Sequence, residues 1–216
     1  MLVLEDGNRG DLPGLKISLD NACASVDLGL ETTDGRLDLG EVEAALKGTW
    51  DTDYHPEQYA GLVLRDRTSS VTVTMYSSRK MNVVGARSVE QVDNAVKKLV
   101  QALDKAGFEV NREPATRITN LVFTTDLGSR IDLDEACMVL HNAIYEPSTY
   151  AGLTTRQGSP KACFVMFSSG KLICTGTRNE KDGREAIGRF AEEMGSIGLL
   201  AGSYTGKVNL QLEMKK

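Results

Sequence analysis

The stretch YHPEQYAGLVLRDRTSSVTVTMYSSRKMNVVGAR, Tyr54 to Arg87, lies over YEPSTYAGLTTRQGSPKACFVMFSSGKLICTGTR, Tyr145 to Arg178, at a constant offset of 91 without a gap. Thirteen of the 34 positions are identical, where ordinary composition would give about two, so the chain carries an internal duplication. Upstream, DNACASVDLG (Asp20 to Gly29) matches TNLVFTTDLG (Thr119 to Gly128) at an offset of 99, which leaves the first copy eight residues longer between the blocks. Part of that excess is the turn-rich ETTDGR, Glu31 to Arg36.

Working outward from these blocks, each copy reads the same way. An opening strand is predicted over Lys16–Leu28 and again over Arg117–Leu127, followed by a short helix over Asp38–Lys47, with Asp38 as its cap, and over Asp132–His141. Three strands of alternating apolar and polar residues come next, broken at ThrSerSer (68–70), at GlySerPro (158–160) and around the SerSer pairs. A long amphipathic helix closes each copy. Val89, Val92, Val96, Leu99, Val100 and Leu103 recur at helical spacing in the first, and Ile187, Phe190, Ala191, Met194 and Ile197 in the second. Gly107 and Gly198, again 91 apart, stand where helix C-termini favour glycine.

A unit of this kind lays its long helix on one face of an antiparallel sheet. Two copies joined edge to edge give an α+β fold with one wide, curved sheet and helices on its convex side. The other face is left bare. By strand parity it carries Val122, Thr124, Val165, Phe167, Ile173 and Thr175 in the second copy, and a broad, partly apolar open sheet is a binding surface. The expected divisions are an extension over 1–14, repeats over 15–110 and 116–200, and a tail over 201–216.

Composition bounds the function. The chain has 216 residues, 41% hydrophobic and 25% charged, with 21 Gly and 5 Pro, the balance of a folded globular protein. No stretch has the roughly 18 uninterrupted apolar residues that a membrane span needs, and the N-terminus shows no leader pattern, so an intracellular protein is expected. Cys23, Cys137, Cys163 and Cys174 lie far apart with no CxxC or Cys/His pairing, so reduced thiols are expected, with no metal site. The net charge of −5 alone argues weakly against nucleic acid, but it is unevenly spread. Residues 1–115 hold 13 Lys and Arg against 19 Asp and Glu, a balance of −6; residues 116–216 hold 12 against 11, a balance of +1. His55 and His141 are the only histidines, and neither belongs to an HExxH. No GxSxG, P-loop or dinucleotide fingerprint occurs, so no enzyme is indicated and no cofactor or small-molecule substrate is expected.

YEPxxYxGLxxR, then FSSGKLICTG, in the second copy, answered by YHPxxYxGLxxR and YSSRKMNVVG in the first, each with a strand asparagine upstream, keep the same order in both copies, and in this the chain resembles the TATA-box-binding protein family over about Leu15 to Leu200. The resemblance implies a saddle-shaped fold that binds A·T-rich double-stranded promoter DNA through the minor groove and bends it. It implies partners as well: a transcription factor B family protein and the RNA polymerase machinery. It places the chain in the cytoplasm and nucleoid of an archaeon or the nucleus of a eukaryote.

Roles carried over by resemblance fall on matched positions. Asn21 and Cys23, with Asn120 and Val122, match the central base-contacting pairs; Val165, Ile173 and Thr175 extend the base-facing surface. An amide suits this task because A·T pairs present only acceptors in the minor groove. Tyr59 and Tyr76, with Tyr150 and Phe167, match the aromatic wedges that enter between base steps. Arg65, Ser78, Lys80 and Arg87, with Arg156, Ser169, Lys171 and Arg178, match the phosphate-contacting positions. Glu146, in the second stirrup, is the candidate contact for transcription factor B, with Ser148 where the family carries a second acidic residue.

The first copy departs further from the pattern. Thr74, Asn82 and Val84 stand on its predicted DNA face, and Arg79 replaces the turn glycine present as Gly170. Its surface is therefore expected to be more polar. Tyr76 near Thr74 and Asn82 is expected to stay wet and insert less deeply than Phe167. The alternative reading is an interaction module on the same fold that has lost tight DNA binding.

Overall fold

The computed structural model of the chain describes residues 15–29 and 35–200. The expected extension 1–14, most of the turn-rich ETTDGR and the tail 201–216 lie outside the described residues. β1 (Ser18–Asp27) opens the first copy and α1 (Leu39–Leu46) follows, its N-cap Asp38 accepting the N–H groups of Gly40 and Glu41 at 2.8 and 3.2 Å. Then come β2 (Asp51–Asp53), β3 (Gly61–Arg65), β4 (Thr72–Tyr76), β5 (Lys80–Ala86) and α2 (Val89–Lys105). The second copy runs β6 (Thr116–Asp126), α3 (Leu133–Val139) capped by Asp132, β7 (Leu153–Gly158), β8 (Lys161–Met166), β9 (Lys171–Thr177) and α4 (Glu180–Ser196). The strand order is β2-β3-β4-β5-β1-β6-β9-β8-β7 in a nine-stranded sheet, and the fold is α+β as expected.

The described residues pack as two compact units, one from Leu19 to Val122, the other combining residues up to Ser18 with Phe123 onward. In the first, β4 pairs with both β3 and β5, and β5 with β1, all antiparallel. Alternation does the sorting: Leu62, Leu64, Val73, Met75, Met81 and Val83 are fully buried, while Val63, Thr74 and Asn82 face away from them. α2 covers the buried side with Val92, Val96, Leu99 and Leu103, each such side chain contributing about 1.5–3 kcal/mol on burial. In the second unit Phe123, Phe164, Met166, Leu172 and Cys174 are buried beneath Ile187, Phe190, Ala191 and Met194 of α4. Phe164 and Phe190 stack with centroids 4.3 Å apart. Both long helices end as expected: Gly107 and Gly198 have φ of 86° and 81°, and the next N–H of each bonds back to Leu103 and Met194.

Four details differ from the sequence expectation. Ile197 is 43% exposed rather than packed, because it is the C-cap of α4, where the helical stripe has already rotated past the sheet. Val89 is half-buried at the first helical position of α2. α3 stops at Val139: Leu140 is extended and Asn142 adopts φ 54°, leaving His141 in a loop whose carbonyl accepts the Thr155 hydroxyl at 2.9 Å. The first copy also gains an edge strand, β2, whose AspThrAsp sequence has little strand propensity and is held by pairing with β3. In the second copy that position is a single bridge, Ile144 to Thr154.

Arg79 explains how the first copy dispenses with its turn glycine. It adopts φ 65°, the left-handed conformation that Gly170 takes at 93°. A Cβ on Gly170 would come within 2.3 Å of the Ser129 carbonyl. In the first copy the side chain instead runs inward, 8% exposed, and its guanidinium donates to the carbonyls of Gly35 (2.8 Å) and Glu109.

Asp66, buried in the turn after β3, accepts from the Thr68 N–H and hydroxyl and the Ser69 hydroxyl at 2.8 to 3.0 Å, and from the Lys98 ammonium, which also lies 5.3 Å above the Trp50 ring. Burial pushes its carboxyl up, but Lys98 and the other donors together outweigh this and hold it at about 2, below the ordinary 3.8. A depressed carboxyl stabilises the fold above its unfolded value, and that stability is lost as pH falls from about 4 toward 2. At about 1.4 kcal/mol per unit the effect is about 2 kcal/mol. Thermal unfolding at pH 7 and pH 2.5 should therefore show a smaller acid loss in Asp66→Asn than in the native chain, together with lower stability at pH 7.

Candidate nucleic-acid interface

In the second unit the face opposite α4 is built from cross-strand neighbours. Thr154 pairs with Val165 and Val165 with Ile173; Arg156 pairs with Cys163 and Cys163 with Thr175. Each alternates with a buried neighbour and is itself half-buried, apart from the exposed Arg156. The strand parity expected for Val165, Ile173 and Thr175 is therefore observed, and Val122 and Thr124 on β6 and Phe167 just after β8 are half-buried in the same alternation. At the end of this face Tyr150 and Phe167 meet edge to face, centroids 6.1 Å apart and planes at 68°. Tyr150 is presented by a turn in which the Glu146 carbonyl accepts the N–H groups of Thr149 and Tyr150. Glu146 itself is exposed.

The first unit repeats the construction. Val63 pairs with Thr74, Thr74 with Asn82 and Asn82 with Ser25, a row displaced by 91 from Thr154, Val165 and Ile173 and more polar at two of three places. Asn82 is exposed and Val84 is 40% exposed. Tyr59 and Tyr76 pack at 6.3 Å and 66°, the geometry of the other pair, and the His55 carbonyl makes the matching turn to Gln58 and Tyr59. Their hydroxyls are hydrogen-bonded to each other at 2.7 Å, a bond that raises the Tyr59 phenol above its usual value. The Tyr76 hydroxyl thus has a protein partner, in a pair that is itself exposed.

Sequence reading passed over the residues beneath both pairs. A Cβ on Gly61 would come within 2.7 Å of the Tyr59 ring and 2.9 Å of Thr74; on Gly152 it would come within 2.7 Å of the Tyr150 ring and 2.9 Å of Val165. Both glycines let the first ring of each pair lie down on the strand. Their signal was in the sequence, as the repeated TyrAlaGlyLeu of the duplicated block.

Asn21 is half-buried on β1, its Oδ1 accepting the Gly85 N–H at 2.8 Å and its Nδ2 donating to Cys23 Sγ at 3.6 Å. The Gly85 N–H, which can only donate, fixes which end of the amide carries the acceptor and which the donors. Burial raises the Cys23 thiol above its ordinary value, with the Asn21 bond opposing; burial likewise pushes Cys174 up to about 12. Asn120 occupies the matched place on β6, half-buried, two residues before Val122. Ser78, Lys80, Arg87, Arg156, Ser169, Lys171 and Arg178 are all exposed. Arg65 differs: its guanidinium lies 3.8 Å from Asp51 and 3.3 Å from Asp53. Among the described residues no group of three or more His, Cys, Asp or Glu is arranged to hold a metal.

A sequence model of the family described as transcription factor TFIID (or TATA-binding protein, TBP) matches residues 16–106 and 115–197. The chain belongs to the TATA-binding protein family. The TATA-box-binding protein of Thermococcus kodakarensis is 35% identical over 190 residues, covering 88% of this chain and 96% of that protein. That of Pyrococcus furiosus is also 35% identical over 190 residues, covering 88% and 95%. The solved Methanococcus jannaschii TBP aligns with a TM-score of 0.71 at 32% identity, over 82% of this chain and 97% of the other. The TATA-binding protein family consists of transcription factors, not enzymes. Its two matched segments bracket both aromatic pairs and both strand asparagines.

Proposed function

We propose that the chain is a general transcription initiation factor that binds A·T-rich promoter duplex through the minor groove and bends it. The observation that carries this reading is the recurrence of one wedge geometry in both copies of the duplication, each aromatic pair resting on a glycine where a Cβ would push the rings aside. Large rings at a sheet rim can replace the stacking they disrupt between base steps. Asn21 and Asn120 supply amide donors for the acceptors of A·T pairs. Cys23, Val122, Val165, Ile173 and Thr175 supply a surface that meets the groove floor. Repeats 15–110 and 116–200 each contribute one aromatic pair and one asparagine, within the compartment that holds the promoter DNA. Glu146 is the contact for a transcription factor B family protein, which with RNA polymerase assembles on the bent complex.

The exposed cations fix position without reading sequence. Arg156→Ala and Lys171→Ala are expected to weaken binding to all duplexes alike and to lower the salt slope by about one each. A gel shift with a TATA-box duplex, titrated with salt and repeated with a transcription factor B protein, tests the proposal. Steep salt dependence and a supershift are expected. Absence of duplex binding even at low salt would favour an interaction module that has lost DNA.

A further inference from the structure

We infer that Asp51 and Asp53 are a built-in competitor for DNA phosphate on Arg65, so that the first copy grips the duplex more weakly than the second. The inference rests on the phosphate-contacting role proposed for Arg65. β2 sets Asp51 directly opposite Arg65 on β3, and Asp53 opposite Val63. The two carboxylates share one side of β2, since residues two apart in a strand do so, and they reach the two ends of one guanidinium at 3.8 and 3.3 Å. Asp53 also lies 3.5 Å from His55 Nε2, and His55 Nδ1 lies 3.5 Å from Glu57, so a third carboxylate stands on the same rim.

The duplication supplies an internal control. At an offset of 91, Asp51 becomes Asn142 and Asp53 becomes Ile144, while Arg65 becomes Arg156. Ile144 bridges to Thr154 as Asp53 pairs with Val63, so this rung of the frame is kept without its charge, while Asn142, at φ 54°, carries neither the charge nor the strand conformation of Asp51. Arg156 makes no ion pair among the described residues. Exposed ion pairs are individually weak, so Arg65 is restrained rather than locked. A phosphate must nevertheless displace two carboxylates and leave them bare beside a polyanion. Those bared carboxylates recapture cations, so fewer ions are released on binding and the salt slope is shallower.

The test is a cycle on the full chain with a TATA-box duplex, measured by fluorescence anisotropy across a salt series. Asp51→Asn with Asp53→Asn is expected to tighten binding about tenfold near 0.1 M salt and to steepen the slope by about one. In an Arg65→Ala background the same pair of substitutions is expected to give no more than a two- to threefold gain. Equal gains in both backgrounds would overturn the proposal, because the carboxylates would then act as diffuse charge and not through Arg65. No gain in the native background would also overturn it. Each single substitution, checked by circular dichroism, gives the same reading should the double variant loosen β2. Failure of the DNA-binding reading has a different signature: native chain that does not bind the duplex, and no effect of Arg156→Ala.

Discussion

Phe167→Ala is expected to weaken binding to an A·T-rich duplex by about 2 to 3 kcal/mol, the area term for taking a phenylalanine-sized ring out of water. It should also reduce the bend measured by fluorescence transfer between end-labelled strands. Phe167 closes an apolar row with Val165 and Ile173 nearby, and no polar atom is stranded when its ring is buried. Tyr76→Ala should cost less, because the row beside it contains Thr74 and Asn82 and holds water better. The hydroxyl bond between Tyr59 and Tyr76 makes the tyrosine pair a coupled unit. Tyr76→Phe alone removes the partner of the Tyr59 hydroxyl, which must then be buried unpaired or stay hydrated, and is expected to weaken binding modestly. The double change Tyr59→Phe with Tyr76→Phe removes both polar atoms and is expected to recover or exceed native affinity. Additive losses across that cycle would show that the two hydroxyls act separately in recognition. Equal losses of affinity and bend from Phe167→Ala and Tyr76→Ala would show that the polar first-copy surface is a working part of the site.

The duplication made most of the fold legible. Once two segments share an offset, the strand parity read on one copy is checked on the other, and the caps Asp38 and Asp132 and the glycines 107 and 198 fall on matching ends. What escaped the sequence was set by tertiary pairing. β2 is three residues of AspThrAsp, formed only because β3 offers an edge, and no propensity argument finds it. Arg79 read as a replaced glycine; that its guanidinium turns inward to the carbonyls of Gly35 and Glu109 is a contact between residues far apart in the chain, which the local sequence does not show. The candidate site was legible at its wedges and asparagines because these repeat. Asp51 and Asp53 escaped because they stand upstream of Tyr54, where the gapless match begins, and because their approach to Arg65 depends on the pairing of β2 with β3.

Orientation of the amide decides the other large effect. Asn21→Ala and Asn120→Ala are each expected to weaken binding to A·T-rich sites by about 1 to 3 kcal/mol and to reduce discrimination against a central G·C pair. In Asn21 the Gly85 N–H holds Oδ1 at 2.8 Å, so the NH2 end is the one left to donate. Asn21→Asp is the sharper substitution. It keeps the shape and the acceptor for Gly85, removes both side-chain donors, and adds a negative charge beneath a polyanion. It is expected to lose at least as much affinity as the alanine variant, about 3 kcal/mol, while its thermal stability stays close to native because the Gly85 bond survives. Alanine instead leaves the Gly85 N–H without its acceptor, and so should cost stability as well as affinity. Anisotropy on duplexes with A·T and G·C centres, alongside thermal unfolding of each variant, separates these terms. If both asparagine positions tolerate alanine with sequence preference unchanged, the amides are structural braces for the sheet and the groove is read elsewhere.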